Sequence, residues 1–377
     1  MIAGEASGDL HGASFLRALR ELLPGVHVSG IGGPKLRAAG MECICSAEAL
    51  SVVGLPSTDQ LRRFWRIFNQ LKRRLKENPP GLLILIDFPE FNLLLARVAK
   101  RYGVPVFYYI SPQIWAWRER RIKVIKRVVD SMAVILPFEV DFYHKHGFEV
   151  TFVGHPLLDV VRPALSRETF FELTRLDPTR PLIGIFPGSR RGEVLRHLPL
   201  FLETFFRLKQ KFPEIQGVIV RAEGLAPELF FVEDSPDLKV LRGYQYEVMN
   251  HASALLLASG TVTLEAAIVG TPMVVAYKLA PLSYFLAKHL IRVPYVSLVN
   301  LLASKPLVPE ILQKEATPAR LAEALAVYLT DSLKVRQLKA ELTKVRRSLG
   351  NPGAAWRAAE LALELLRKHC ARSTAAS

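Results

Sequence analysis

Short apolar runs alternate along this chain with longer stretches whose apolar residues recur every three to four positions. In the first half, residues 82–86, 104–110, 132–136 and 150–153 read as buried parallel strands. Residues 10–23, 61–75, 93–102 and 120–129 carry apolar positions at helical spacing. After a junction at 154–178 that carries Pro and Asp, the alternation resumes, with strand runs at 182–186, 217–220, 238–241, 254–257 and 273–276. From about Pro318 the pattern is helical alone, at 321–329, 335–349 and 354–369, with Asn351-Pro352-Gly353 breaking it. Continuous apolar strands separated by amphipathic helices predict an α/β fold with parallel sheets covered on both faces. The expected architecture is two doubly wound, Rossmann-like domains facing across a cleft. The first spans residues 1–157, completed by C-terminal helices at about 350–377, and the second spans 158–349. The last residues, 371–377, read as a frayed end. Only Met1-Ile2-Ala3 precedes the first glycine turn. The opening strand is therefore very short, or part of the natural N-terminus is absent, which would weaken the first sheet.

Composition adds a partner. The 377 residues carry a formal charge of +15 and an isoelectric point near 9.8, which calls for an anion: nucleic acid, a phosphorylated substrate or an acidic membrane. Three cysteines, Cys43, Cys45 and Cys370, make no disulfide framework. Cys43 and Cys45 read as two residues on one face of a short strand. The N-terminus has no secretory pattern. The longest apolar region, 252–277, is interrupted by Ser259, Gly260, Thr261, Glu265, Gly270 and Pro272, so no segment reads as a membrane span. The expectation is a cytoplasmic protein, soluble or peripheral to a membrane. Residues 61–76 mix basic residues with large apolar ones, and Arg62, Arg63, Phe64, Trp65, Arg66 and Phe68 suit either an interfacial helix on anionic lipid or a core-facing helix with a solvated basic side.

Five constellations sit where strands end. Gly4-Glu5-Ala6-Ser7-Gly8-Asp9 joins a strand stub to a helix, a place for an anion or for Asp9 as a cap. In Ile86-Asp87-Phe88-Pro89-Glu90-Phe91-Asn92, Asp87 closes a buried strand as a general base or as a helix cap, with Glu90 and Asn92 as neighbouring alternatives. Aromatic and basic residues follow one another from Tyr109 through Ser111, Trp115 and Trp117 to Arg118, Arg120 and Arg121, suiting a sugar, lipid or phosphate. In Pro187-Gly188-Ser189-Arg190, backbone amides, a helix N-terminus and Arg190 compose a diphosphate site. Ser259-Gly260-Thr261 precedes a helix whose first turn carries Glu265, placed to accept from two ribose hydroxyls. His155, in Gly154-His155-Pro156, reads as structural. Neither a Walker loop nor a G-x-G-x-x-G fingerprint is present, and no D-x-D metal motif appears.

In order, these segments and Pro137-Phe138-Glu139 and Tyr295-Val296-Ser297-Leu298-Val299-Asn300-Leu301-Leu302 resemble the lipid-A-disaccharide synthases over nearly the whole chain. The resemblance implies a GT-B glycosyltransferase of lipid A and lipopolysaccharide synthesis in a Gram-negative cell, inverting and independent of a metal or other cofactor. It implies a UDP-2,3-diacylglucosamine donor and a 2,3-diacylglucosamine 1-phosphate acceptor. It implies attachment to the anionic inner face of the inner membrane, and a homodimer made by exchanging C-terminal elements. Asp87 would be the base or would position the acceptor. Glu5, Ser7 and Asp9 would line the acceptor side. Gly188, Ser189, Arg190, Ser259, Gly260, Thr261, Glu265 and Asn300 would hold UDP. Two alternatives stand beside this reading. One is another GT-B UDP-sugar transferase or epimerase. The other is a non-enzymatic basic protein that binds nucleic acid, which no recognised motif supports.

Overall fold

The structure, a computed structural model, describes residues 1–46, 58–232, 235–279 and 293–376. The chain divides into two compact units, Met1–Asp159 with Leu349–Ser377, and Val160–Ser348.

The first unit opens with β1 (Ile2–Ala3), α1 (Ala6–Leu22), β2 (Ser29–Gly32), α2 (Pro34–Ala38) and β3 (Glu42–Ser46). It continues with α3 (Thr58–Glu77), β4 (Leu83–Ile86), α4 (Pro89–Arg101), β5 (Val106–Tyr109) and α5 (Ile114–Trp117). After a 3-10 turn at Glu119–Arg121 come α6 (Ile122–Val128), β6 (Ser131–Val134), α7 (Pro137–Lys145) and β7 (Thr151–Phe152). α8 (Leu157–Val160) carries the boundary between the units. All seven strands are parallel, in the order β3-β2-β1-β4-β5-β6-β7. Strand residues alternate between two cores. Leu83, Leu85, Val106 and Tyr108 face the cluster that includes Ile67, Phe68 and Leu71 of α3. Ile84, Ile86, Phe107 and Tyr109 face the one built on Phe15, Leu16 and Leu19 of α1. This two-sided burial is why those strands read as unbroken apolar runs.

β1 has only two residues yet is an inner strand of the sheet, Ile2 facing Ile31 on one side and Leu85 on the other. Its length does not leave a gap, because Ile31 N also donates to Met1 O at 3.0 Å. The expectation for Cys43 and Cys45 is corrected. The register of β3 slips between Gly30 and Ile31 of β2, so Cys43 faces one core and Cys45 the other. A bulge inserts one residue and inverts the alternation.

The second unit holds α9 (Arg167–Thr174), β8 (Leu182–Phe186), α10 (Arg191–Lys211), β9 (Gln216–Arg221), β10 (Leu238–Arg242), α11 (Gln245–His251), β11 (Ala254–Ala258) and α12 (Val262–Val269). β12 (Met273–Tyr277), α13 (Leu298–Ala303), β13 (Glu310–Leu312), α14 (Pro318–Thr330) and α15 (Ser332–Ser348) complete it. Its six parallel strands run β10-β9-β8-β11-β12-β13.

α16 (Ala354–Ala376) then returns to the first unit. Ala354, Ala358, Ala359 and Ala362 are fully buried against the α1 side of its sheet, small side chains that let two helices approach closely. Arg357 donates to the carbonyls of Asn351, Pro352 and Val153. Asp159 accepts from Gly353 N at 2.8 Å. The helix persists through Ala376, beyond the fraying expected from residue 371.

Candidate active site

In an open parallel sheet, ligands bind beyond the carboxyl ends of the strands where the strand order reverses direction. In the first unit that point lies between β1 and β4, whose following loops are residues 4–5 and 87–88. In the second it lies between β8 and β11, whose following loops are 187–190 and 259–261. Four of the five predicted constellations therefore fall at the two switch points, and the fifth follows β5, the neighbour of β4.

Asp87 and Phe88 both take left-handed backbone conformations, each with φ of 47°. Such conformations cost energy in residues other than glycine and persist only where the surroundings over-determine them. Here the buried Asn92 side chain donates to Ile86 O and Asp87 O, at 3.2 and 2.6 Å, and Tyr108 Oη donates to Asp87 O at 2.5 Å. Asn92 therefore braces the loop from beneath and takes no part as an alternative base. Gly4 lies against the Phe88 ring, where a Cβ would come within 2.4 Å of a ring carbon. The Asp87 carboxyl is pushed up to about 6, first by burial, then by the negative charge of Glu5, with a smaller push from Glu90. A carboxylate raised into this range is both ionised at neutral pH and a better proton acceptor than an ordinary one.

The acceptor-side expectations divide. Glu5, exposed at the N-cap of α1, acts on Asp87 through its charge. Ser7 is exposed on the first turn of α1. Asp9 is corrected. It is 4% exposed and accepts from the backbone amides of Gly33, Lys35 and Leu36 at 2.7, 2.9 and 3.0 Å. Its carboxylate is a tertiary cap for α2 and presents nothing to a ligand.

The aromatic loop after β5 is organised by Glu139, a residue whose role the sequence left unassigned. Its carboxylate is buried and receives Ser111 Oγ at 3.0 Å, Trp115 Nε1 at 3.1 Å, and the amides of Ile135 and Leu136. Burial pushes it up to about 7 against those four donors. Trp117 is 41% exposed, with the Arg118 guanidinium 3.8 Å above its ring. Arg118 and Arg121 both reach Oε1 of Glu90, at 2.7 and 3.0 Å. His155 is buried and accepts from Leu157 N at 3.1 Å, and burial and then His11 push it down to about 3. It is therefore neutral at pH 7.

In the second unit Gly188 takes φ of 130°, and a Cβ there would lie 2.6 Å from that of Glu193. That close approach corrects the picture of open amides at this loop. Ser189 N and Arg190 N both donate to Glu193 Oε2, at 3.1 and 3.3 Å, so an internal carboxylate occupies the donors assigned to phosphate. The Arg190 side chain is exposed. Beneath the loop, buried His197 pairs Nδ1 with Pro187 O at 3.1 Å, while Nε2 accepts from Lys278 N at 2.9 Å. Ser259 Oγ donates to Val296 O at 3.4 Å, Thr263 Oγ1 closes on Gly260 O, and Thr261 is exposed. Glu265 is pushed up to about 7 by burial alone. No protein donor meets its carboxylate among the described residues.

Asn300 is corrected. It is 1% exposed, exchanges two hydrogen bonds with the backbone of Val308 at 2.9 Å, and donates to Glu310 at 2.8 Å. Its amide is consumed in closing the segment onto β13. Glu310, which the sequence did not single out, also receives Val296 N, Ser297 N and Ser297 Oγ. Phe68 is corrected too. It is 8% exposed and meets Phe91 edge-on at 5.9 Å, so it faces the core, and half-buried Phe64 meets the same ring at 5.2 Å. Trp65 and Leu61 are exposed at 51% and 45%, beside exposed Arg62, Arg63 and Arg66. No described helix is long and apolar enough to cross a membrane.

Solved structures with the same two-sheet arrangement include a calicheamicin glycosyltransferase, 16% identical with a TM-score of 0.61, covering 98% of this chain and 96% of that one. They also include a UDP-GlcNAc 2-epimerase from Neisseria meningitidis, 12% identical with a TM-score of 0.58, covering 96% and 97%. The fold is GT-B, and by itself it does not separate transferase from epimerase. Sequence relatives do. A protein of Geobacter metallireducens named lipid-A-disaccharide synthase is 46% identical over 376 residues, 98% of this chain and 97% of its own length. One of Geobacter sulfurreducens with the same name is 44% identical over 374 residues, 98% and 97%. The family model described as lipid-A-disaccharide synthetase matches residues 1–365. On these matches, and with the GT-B fold beneath them, the chain is a glycosyltransferase belonging to the lipid-A-disaccharide synthase family.

Proposed function

We propose that this chain transfers a diacylglucosaminyl group from UDP-2,3-diacylglucosamine to the 6-hydroxyl of 2,3-diacylglucosamine 1-phosphate, with inversion. The bond from the donor's anomeric carbon to the UDP phosphate breaks as the bond to the acceptor oxygen forms. The acceptor's proton goes to Asp87, and UDP leaves. The observation that carries this reading is the Asp87 loop: a strained, braced turn at a switch point that holds a desolvated carboxylate raised to about 6. Inversion needs one base on the attacking hydroxyl, and Asp87 supplies it.

The second unit takes the donor. Glu265 accepts from the ribose hydroxyls. The UDP phosphates displace Glu193 from the Ser189 and Arg190 amides, one anion replacing another at the head of α10, and Arg190 and residues 259–261 add donors. The positive charge and the dipoles that stabilise the leaving diphosphate belong to the protein, so the reading is metal-independent. Leu61 and Trp65, one helical turn apart among arginines, rest on the anionic inner face of the inner membrane, where both acylated substrates lie. A homodimer by C-terminal exchange would swap α16, whose intramolecular seat is already described.

The test is product formation from the UDP donor and the 1-phosphate acceptor in detergent micelles with EDTA present. Disaccharide 1-phosphate and UDP appearing together support the reading. Absence of product from folded protein that still binds UDP overturns it in favour of unacylated UDP-sugars.

A further inference from the structure

Arg118 and Arg121 stand three residues apart in one 3-10 turn, Arg118 as its N-cap, and converge on one oxygen of Glu90. At this oxygen two guanidinium groups meet a single carboxylate. All three side chains are open to solvent, at 38%, 26% and 53%. Glu119, between them in sequence, is hydrogen-bonded to His146 Nε2 at 3.0 Å. Arginine pairs present planar, bidentate donors that suit a phosphate oxyanion better than a single carboxylate oxygen.

Their position matters as much as their charge. Glu90 lies three residues beyond Asp87, in the first turn of α4, and its charge is felt at the Asp87 carboxyl. On a hexose the 6-hydroxyl and the 1-phosphate flank the same ring oxygen. A residue that deprotonates the first therefore lies within one sugar ring of the groups that hold the second.

We propose that Arg118 and Arg121 are the binding site for the acceptor's phosphomonoester, and that Glu90 occupies it in the free protein. The proposal rests on the transferase reading above. Binding exchanges Glu90 for a dianion, which neutralises both arginines. It also draws the Arg118 guanidinium off the Trp117 ring, where it stacks at 3.8 Å.

The experiment compares two acceptors, diacylglucosamine 1-phosphate and its 1-O-methyl glycoside, on the full-length chain and on Arg121→Gln and Arg118→Gln. Each substitution is expected to lower kcat/KM for the phosphorylated acceptor by about tenfold or more, through the acceptor KM. The donor KM stays unchanged, and the methyl glycoside shows little further loss. Arg121→Lys recovers part of the loss. Equal losses with both acceptors assign the arginines to loop structure and overturn the proposal, as does no loss with either. If the wild-type chain turns over neither acceptor, the transferase reading fails and tryptophan emission decides this one. A change on adding the phosphorylated acceptor in micelles, absent in Trp117→Phe and in Arg121→Gln, sustains the site. No change overturns it.

Discussion

At the scale of the residue, Asp87 joins burial, charge and backbone strain. Its carboxyl sits at about 6 against an ordinary value of 3.8, so the folded protein holds this proton more tightly than the unfolded chain. The sign follows from linkage. Ionising Asp87 costs the fold stability as pH rises from about 4 to about 6, and the full cost persists above that range. Asp87→Asn is therefore expected to abolish turnover yet raise the melting temperature at pH 8, by a stability gain on the order of 1–2 kcal/mol, and to lose that gain at pH 4. With Asp87 as the proposed base, catalysis runs the other way, since a base works only when ionised. The acid limb of kcat/KM is expected near pH 6. Glu5→Gln, which removes a negative charge that raises Asp87, should move that limb to lower pH. A limb that ignores Glu5 would separate the two carboxylates.

At the scale of the element, α2 has five residues and depends on a partner outside itself. Asp9, on α1, supplies three acceptor contacts to its N-terminal amides across 24 to 27 residues of sequence. Asp9→Ala leaves those buried donors unpaired, at a cost of about 2–3 kcal/mol, and is expected to lower the melting temperature by several degrees. UDP affinity, which the proposed function assigns to the second unit, should be untouched. Calorimetric unfolding with and without UDP checks both halves. The strands show where a pattern carries and where it does not. β4, β5, β8, β11 and β12 are legible because both faces are buried and apolar. β2, Ser-Gly-Ile-Gly, offers one apolar side chain, and β13 offers three residues beginning with Glu310. Their place is set by pairing with neighbours, which local propensity does not encode.

At the scale of the whole molecule, the chain returns from its second unit to finish its first, with α16 sealing the α1 side of the seven-stranded sheet. The net charge of +15 is a whole-chain property, and near its start α3 exposes Leu61, Arg62, Arg63, Trp65 and Arg66, along with Thr58 and Asp59, the last paired with Arg62 at 3.7 Å. Vesicles with a phosphatidylglycerol fraction should bind the protein, and neutral phosphatidylcholine vesicles much less. Raising the salt concentration should weaken the attachment. Trp65→Ser should reduce it about tenfold, while turnover of substrates in detergent micelles is retained. Co-sedimentation measures each, and attachment that ignores Trp65 would assign it to charge alone.

By itself the sequence determined the α/β class, the strands buried on both faces, the order of the loops and which polar loops follow the strands. Those properties are written in local spacing: apolar runs, helical periods, and glycine, acidic and basic residues at strand ends. The places of Asp87 and Glu265, in the loop after one strand and in the first turn of the helix after another, were legible for that reason. Only the tertiary structure decided which polar residues remain available to a ligand. Asp9 and Asn300 lie in the same kind of motif as Asp87, yet distant backbone amides and carbonyls consume them. Glu193 covers amides that looked open, and Glu90 gathers two arginines that looked solvated. A polar side chain's fate depends on what reaches it from elsewhere in the chain, because burial obliges donors and acceptors to pair. That pairing exists only once the strands have taken their order.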